Sequence, residues 1–314
     1  MLSAPGQLPD PRPGSRSGSF RFLDCWWAES STTVTRRHNP MMRWDPAQYL
    51  HHGDERARPF FELVHRVGAD QPRTVVDLGC GPGQLTGQLH RRWQGARIHG
   101  VDSSAEMIAA AQSSATTGAE VSYEVGDISQ WRPGPVTDVV ISNAALQWVP
   151  GHRQLIREWT ATLPAGAWLG FQVPGNFDSP SHRLMRELAE SPSWREELAG
   201  VLRHDDAVDD AAGYAWLLLD CGWSADAWET TYVHVLPGED PVLDWVRGTG
   251  LRPVLGALEP AAAAEFEAEY AALLRRAYPR WPDGTLSRSG ASSAWDRRRD
   301  PALAGRQPNV RGRP

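Results

Sequence analysis

A chain of 314 residues exceeds what one minimal core needs, and 41% hydrophobic content with 15 tryptophans lets it bury a large one. Its 32 basic residues are outnumbered by 38 acidic ones, and the resulting charge of −6 opposes the basic footprint of a general nucleic-acid binder. Every basic residue is arginine, which excludes a Schiff-base lysine and a P-loop lysine alike. Cys25, Cys80 and Cys221 show no paired spacing, so neither a disulfide framework nor a zinc site is expected, and a reducing cytoplasm suits them. No run approaches the ~18 apolar residues of a membrane span. Residues 1–20 carry no secretory h-region, and the expectation is a soluble, cytoplasmic protein.

Residues 1–41 are Pro/Gly/Ser-rich without a sustained period and read as a disordered extension, with Met41 or Met42 the expected natural start. From Arg73 onward, short β-branched runs alternate with helical spacing, which predicts an α/β fold with a doubly wound, mostly parallel sheet. The predicted elements are strand one at 73–79, a helix at 85–93, strand two at 96–102 and a helix at 104–112 capped by Ser103 or Ser104. Strand three follows at 121–127, strand four at 137–143, a helix at 152–163 and strand five at 167–173. A mostly helical insertion, 174–226, is long enough to form a lid over the ligand edge of the sheet. Strand six is expected at 228–236, and a helix at 261–279.

The stretch "DLGCGPG" ends strand one, the place where open parallel sheets bind ligands. Its glycines, Gly79, Gly81 and Gly83, let a ligand approach the backbone closely. A dinucleotide fingerprint would read G-x-G-x-x-G, but its last glycine position holds Gln84, and a Walker turn would need a lysine. Neither phosphate-binding pattern fits.

The pattern D-x-G-x-G-x-G from Asp77 to Gly83 resembles instead the S-adenosylmethionine loop of class I methyltransferases. The resemblance implies that Asp77, Gly79, Gly81 and Gly83 form the cofactor loop. It also implies that Asp102, closing strand two, accepts from the ribose hydroxyls, a task suited to a carboxylate's two acceptor oxygens. By the same resemblance Asp127 in "VGDI" approaches the adenine amino group, and Asn143 opens the segment that passes the methionine part. Residues 42–285 are similar to a narrower group, the trans-aconitate 2-methyltransferases. That similarity is carried by "WDPAQYL", "SNAALQWVPGH", "FQVPGNFDSPSH", "WETTYVHVL" and "DPVLDWVRGTGLRPVL". It implies methyl transfer from S-adenosylmethionine to one carboxylate of trans-aconitate, a small polycarboxylate. From the acidic charge and the lack of an apolar span, no nucleic-acid or membrane partner is expected, and no metal.

A carboxylate is ionised at pH 7 and needs no general base, so no catalytic residue is expected and positioning carries the reaction. A trianion does need donors. Arg58, Arg247, Arg252, Asn176 and His182 are the substrate candidates, with Trp148 and Trp44 as walls. Three alternatives stay open: a same-fold methyltransferase for another small acid or acyl group, a degraded, inactive paralogue, and a nicotinamide oxidoreductase.

The final residues, 286–314, hold seven arginines and no strand pattern, so the seventh strand of the methyltransferase fold is expected to be missing and the tail disordered. With suitable codons, one extra base before Ser287 would convert the following residues to Phe-Pro-Phe-Arg-Arg-Val-Phe, which resembles the family's closing aromatic strand. A frameshift is the expected origin of the tail.

Overall fold

Runs such as Val75-Val76 and Val139-Val140-Ile141 are buried on both faces, the pattern of strands covered by helices on either side. The computed structural model describes residues 53–114, 120–202, 207–280 and 298–306. The expected N-terminal extension, Trp44 and most of the arginine-rich tail lie outside the described residues.

In chain order the elements are α1 (Gly53–Arg66), β1 (Thr74–Leu78), α2 (Leu89–Arg92), β2 (Arg97–Asp102), α3 (Ala105–Ser113) and β3 (Val121–Val125). Then come β4 (Val139–Asn143), α4 (His152–Thr162), β5 (Trp168–Gln172), α5 (Pro180–Ala189), α6 (Arg195–Leu198) and α7 (Ala211–Asp220). The last are β6 (Ser224–Tyr232), α8 (Pro241–Arg247), α9 (Arg252–Ala257), α10 (Pro260–Ala277) and β7 (Arg298–Arg306). The strands form one sheet among the described residues, in the order β3-β2-β1-β4-β5-β7-β6. β1 to β5 run parallel. Strand order reverses between β1 and β4, which opens a crevice at their carboxyl ends.

The expectation of a missing seventh strand is corrected here. β7 inserts antiparallel between β5 and β6, pairing Gln172 with Ala302 and Trp168 with Arg306 on one side and Tyr232 with Arg298 on the other. The physical reason is that a ladder joins backbone N–H and C=O groups, which every residue except proline supplies, so a segment without a strand-like side-chain pattern can still fill it. Pro301 stands one residue beyond the stretch paired with β5, where only β6 lies alongside. A missing donor is tolerated at such a position.

Two apolar clusters cover the sheet. On one face Phe60, Leu63 and Val67 meet Val75, Ile98, Val139 and Ile141. On the other, Ile156, Trp159, Tyr214 and Leu218 meet Val76, Leu78, Val140 and Phe171. α7 therefore packs on the sheet although it falls inside the expected insertion. A third cluster joins α5 and α6 to α8, α9 and α10 through Met185, Trp194, Trp245, Val254 and Phe266. The helical layer is thus assembled from segments on both sides of β6. Prolines at the first turns of α5, α8, α9 and α10 fix where those helices begin.

Two smaller boundary shifts have local causes. β6 begins four residues before the expected strand, because the ladder with β7 starts at Ser224↔Arg306. The first crossover helix breaks into a 3₁₀ turn at Thr86–Gln88 and the short α2, with Gly87 in the turn.

Trp159 is fully buried, meets Trp131 edge-on at 5.5 Å and donates from Nε1 to the Trp131 carbonyl at 3.3 Å. Trp159→Ala should cost about 3–5 kcal/mol; urea unfolding checks this, and a loss below 1 kcal/mol would contradict the packing described.

Candidate active site

At the carboxyl ends of β1 and β4 lies a cavity of about 280 Å³, lined by Gly79, Gly81, Asp102, Ser103, Met107, Asp127, Ile128 and Ser129. Asn143, Ala144, Ala145, Trp148, Val149 and Pro150 complete the lining. The lining holds two carboxylates and no basic side chain. Such a wall repels phosphate and accommodates a cation that also carries hydroxyl donors.

The glycine loop folds tightly because its backbone is spent on β2. Gly79 and Cys80 N–H both donate to the Val101 carbonyl, at 2.7 and 3.1 Å. All three glycines have positive φ, 80°, 54° and 77° in order. A Cβ on Gly79 would lie 2.2 Å from the Ala145 Cβ, and one on Gly83 would lie 2.6 Å from the Ala111 Cβ. Gly79 and Gly83 therefore close the loop against the protein. At Gly81 a Cβ would meet nothing within 4 Å, since that position borders the cavity.

Asp102 anchors this arrangement. Its Oδ2 accepts from the Gly81 N–H and its Oδ1 from the Ser104 N–H, both at 2.9 Å. Each oxygen keeps a second lone pair for a ligand hydroxyl. Burial pushes the Asp102 carboxyl above the ordinary carboxylate range, against the two backbone donors. Ser104 in turn caps α3, its Oγ accepting from the Met107 N–H at 3.2 Å. Asp127 uses Oδ1 for the Ser129 N–H at 2.8 Å and is otherwise exposed to the cavity.

The turn after β4 is strained. Ala144 has φ 54°, a left-handed backbone that a non-glycine residue adopts at a cost of about 1–3 kcal/mol. Its N–H donates to the Gln172 carbonyl at 2.9 Å, and its carbonyl accepts from Gln147 Nε2 at 2.6 Å. Those bonds hold the turn. Beside it the Oδ1 of Asn143 is shut off from solvent without a hydrogen-bond partner.

The sequence-derived residues thus separate into groups. Gly79, Gly81, Asp102, Asp127, Asn143 and Trp148 meet around one cavity. Asp77 and Gly83 do not line it; they shape the loop from behind. Arg247 is spent inside the helical layer, its guanidinium donating to Glu267 at 2.6 and 3.0 Å and to Asp244 at 2.9 Å. Arg58 is exposed on α1, and Arg252 is half-buried at the start of α9. Asn176 is buried in the loop after β5. His182 lies in α5, its Nδ1 at 3.1 Å from the Ser179 Oγ, and it packs against Gly250. Met107 and Ile128 are apolar cavity walls that motif reading passed over. Helical spacing within "SAEM" was the signal available for Met107.

The methyltransferase-domain family matches residues 75–166. A trans-aconitate 2-methyltransferase of Streptomyces avermitilis is 53% identical over 248 residues, covering 77% of this chain and 92% of that one. The chain belongs to the trans-aconitate 2-methyltransferase family. Members from Streptomyces coelicolor, 55% identical with 77% and 82% coverage, and Rhodococcus jostii, 53% identical with 77% and 94% coverage, agree. The solved structure of the Bacillus subtilis protein YcgJ shares the fold of this family member at a TM-score of 0.50, with 14% identity and coverage of 80% and 99%.

Asp77 offers a test of the loop. It is buried, accepts from the Thr86 Oγ1 at 2.6 Å, and burial pushes its carboxyl up to about 7, with the nearby Asp102 adding to the rise. That value lies above the ~3.9 of an unfolded aspartate. The stability tied to its protonated form is therefore complete below about pH 4 and is lost as pH rises through about 7. Asp77→Asn keeps an acceptor for Thr86 and has no proton to lose. Urea melts of the cofactor-free proteins should show the variant gaining on the wild type from pH 5 to pH 8; a difference that stays flat with pH rejects the buried acid.

Proposed function

We propose that this chain transfers the methyl group of S-adenosylmethionine to one carboxylate of trans-aconitate, forming a monomethyl ester. The observation that carries the reading is a cavity with two carboxylates and no cation, built on Gly81 and Asp102, in a chain whose relatives bear that activity in their names. When bound, the cofactor would supply a methyl carried on a sulfonium, which an ionised carboxylate oxygen could accept with the electron pair left on sulfur and no proton transferred.

The chain's own part is binding and placement. Asp102 takes the ribose hydroxyls on its remaining lone pairs, fixed by the Gly81 and Ser104 N–H groups. Asp127 would receive the adenine amino group, with Met107 and Ile128 as apolar parts of the same lining. Gly81 leaves its Cβ space to the ligand, and the carboxylates favour the cation electrostatically. Asn143 and Trp148, which also line the cavity, would take the reacting end. Asp77 and Gly83 support the loop. No general base is required because the acceptor is already ionised, so orientation and exclusion of water supply the rate. Arg58, Arg252, Asn176 and His182 remain the groups offered to the distal carboxylates, and Arg247 is withdrawn by its ion pairs.

Among the described residues no helix is long and apolar enough to cross a membrane. With the acidic charge and scattered cysteines, this supports work in the cytoplasm on a free small polycarboxylate, without a nucleic-acid partner.

Labelled S-adenosylmethionine incubated with trans-aconitate, cis-aconitate, citrate and isocitrate should transfer label to trans-aconitate foremost; transfer to none of them rejects the reading. Asp102→Ala should weaken cofactor binding by about 1.5–3 kcal/mol, the range for hydrogen bonds to a charged group. Calorimetry with S-adenosylhomocysteine measures it, and unchanged affinity would remove Asp102 from the site.

A further inference from the structure

The end of β5 holds a polar group that no part of the scheme above uses. Gln172 is 1% exposed, and its Nε2 has no hydrogen-bond partner. Buried amide donors are almost always paired, so an orphan of this kind asks for a ligand.

Its placement says which one. β4 and β5 are parallel neighbours, and Asn143 is the register partner of Gln172. Along β4, Ile141 belongs to the cluster under α1. Along β5, a Cβ on Gly170 would touch Val67, Ile141 and Leu63 of that same cluster. Side chains two residues further along a strand return to the same face, so Asn143 and Gln172 share it, side by side. One presents an unpaired acceptor and the other an unpaired donor, yet they do not bond each other. Asn143 is also a wall of the cofactor cavity.

The backbone beneath the pair is fixed from both directions. The Gln172 carbonyl accepts from the Ala144 N–H, which locks it to the strained turn, and the same residue is registered to Ala302 of β7. A donor anchored by two strands and a turn makes a rigid reference point.

We infer that Gln172 is an acceptor-positioning residue: its Nε2 amide donates to the reacting carboxylate of the acid, while the adjacent Asn143 faces the cofactor's methionine part. The inference rests on the methyltransferase reading above and adds the residue that registers acceptor against donor. A neutral amide suits the task better than arginine. It orients the carboxylate through one oxygen and leaves the other free for the methyl. It also adds no cation to lower the oxygen's nucleophilicity or repel the sulfonium. The enclosed setting keeps water from competing for the same oxygens.

The test compares wild type, Gln172→Met and Gln172→Glu. Methionine keeps the length and suits a buried site, and it removes both donors. The expected result is that S-adenosylhomocysteine affinity in Gln172→Met stays within twofold of wild type while KM for trans-aconitate rises at least tenfold and kcat falls. Gln172→Glu should be worse, because it sets like charge against the acid. Unchanged kcat/KM in Gln172→Met overturns the inference. So does a loss matched by an equal loss of S-adenosylhomocysteine affinity, which marks a purely structural role. If the wild type methylates a different acid of the panel, the substrate identity fails and the same comparison on that acid decides Gln172. A wild type that binds cofactor and methylates no acid overturns both.

Discussion

One carboxylate holds the binding half of this molecule together. Asp102 accepts simultaneously from the Gly81 N–H of the glycine loop and from the Ser104 N–H at the start of α3. The loop, the end of β2 and the α3 cap are therefore fixed by the same side chain that faces the cavity. Charge-assisted hydrogen bonds of this kind are stronger than neutral ones, and here they act on backbone that cannot shift independently. The tight packing of Gly79 on Ala145 carries the constraint across the crevice to the β4 turn. The cavity wall and the loop geometry are in that sense one structural fact.

Around that anchor the molecule divides its tasks. The sheet and its two flanking clusters set the positions of the strand ends. The helical layer of α5, α6, α8, α9 and α10 has a core of its own. It is tied down by Tyr278, whose hydroxyl accepts from the Ser181 N–H, and by Tyr270, whose hydroxyl donates to the Ser181 carbonyl. The Arg247 ion pairs with Glu267 and Asp244 serve the same layer. A candidate acceptor ligand thus proves to be an internal clamp.

The cavity at the strand ends was legible because its determinants are local. Three glycines in five residues, and acids at successive strand ends, mark positions that parallel-strand topology must bring to one edge. The end of β5 was harder to read. Gln172 sits in the quoted stretch "FQVPGNFDSPSH" and looks like any residue of a buried strand, and only its orphaned amide distinguishes it. Arg58, Arg247 and Arg252 looked alike as arginines, but Arg58 is exposed, Arg252 half-buried, and Arg247 tied to Glu267 and Asp244.

The sequence by itself determined the parallel sheet, the order of its first five strands' motifs and the class of methyl donor, since apolar period and glycine spacing act over a few residues. Tertiary structure alone decided the rest. β7 exists because the gap between β5 and β6 can be filled by backbone hydrogen bonds, which leave little trace in side-chain pattern. α7 joins the sheet while α5 joins α10, because burial is satisfied by whichever apolar face is near in space. Arg247 is neutralised, and Gln172 left unpaired, by partners present or absent across long separations in the chain. Hydrogen bonding and charge pairing act between neighbours in space, and a linear sequence does not say who those neighbours are.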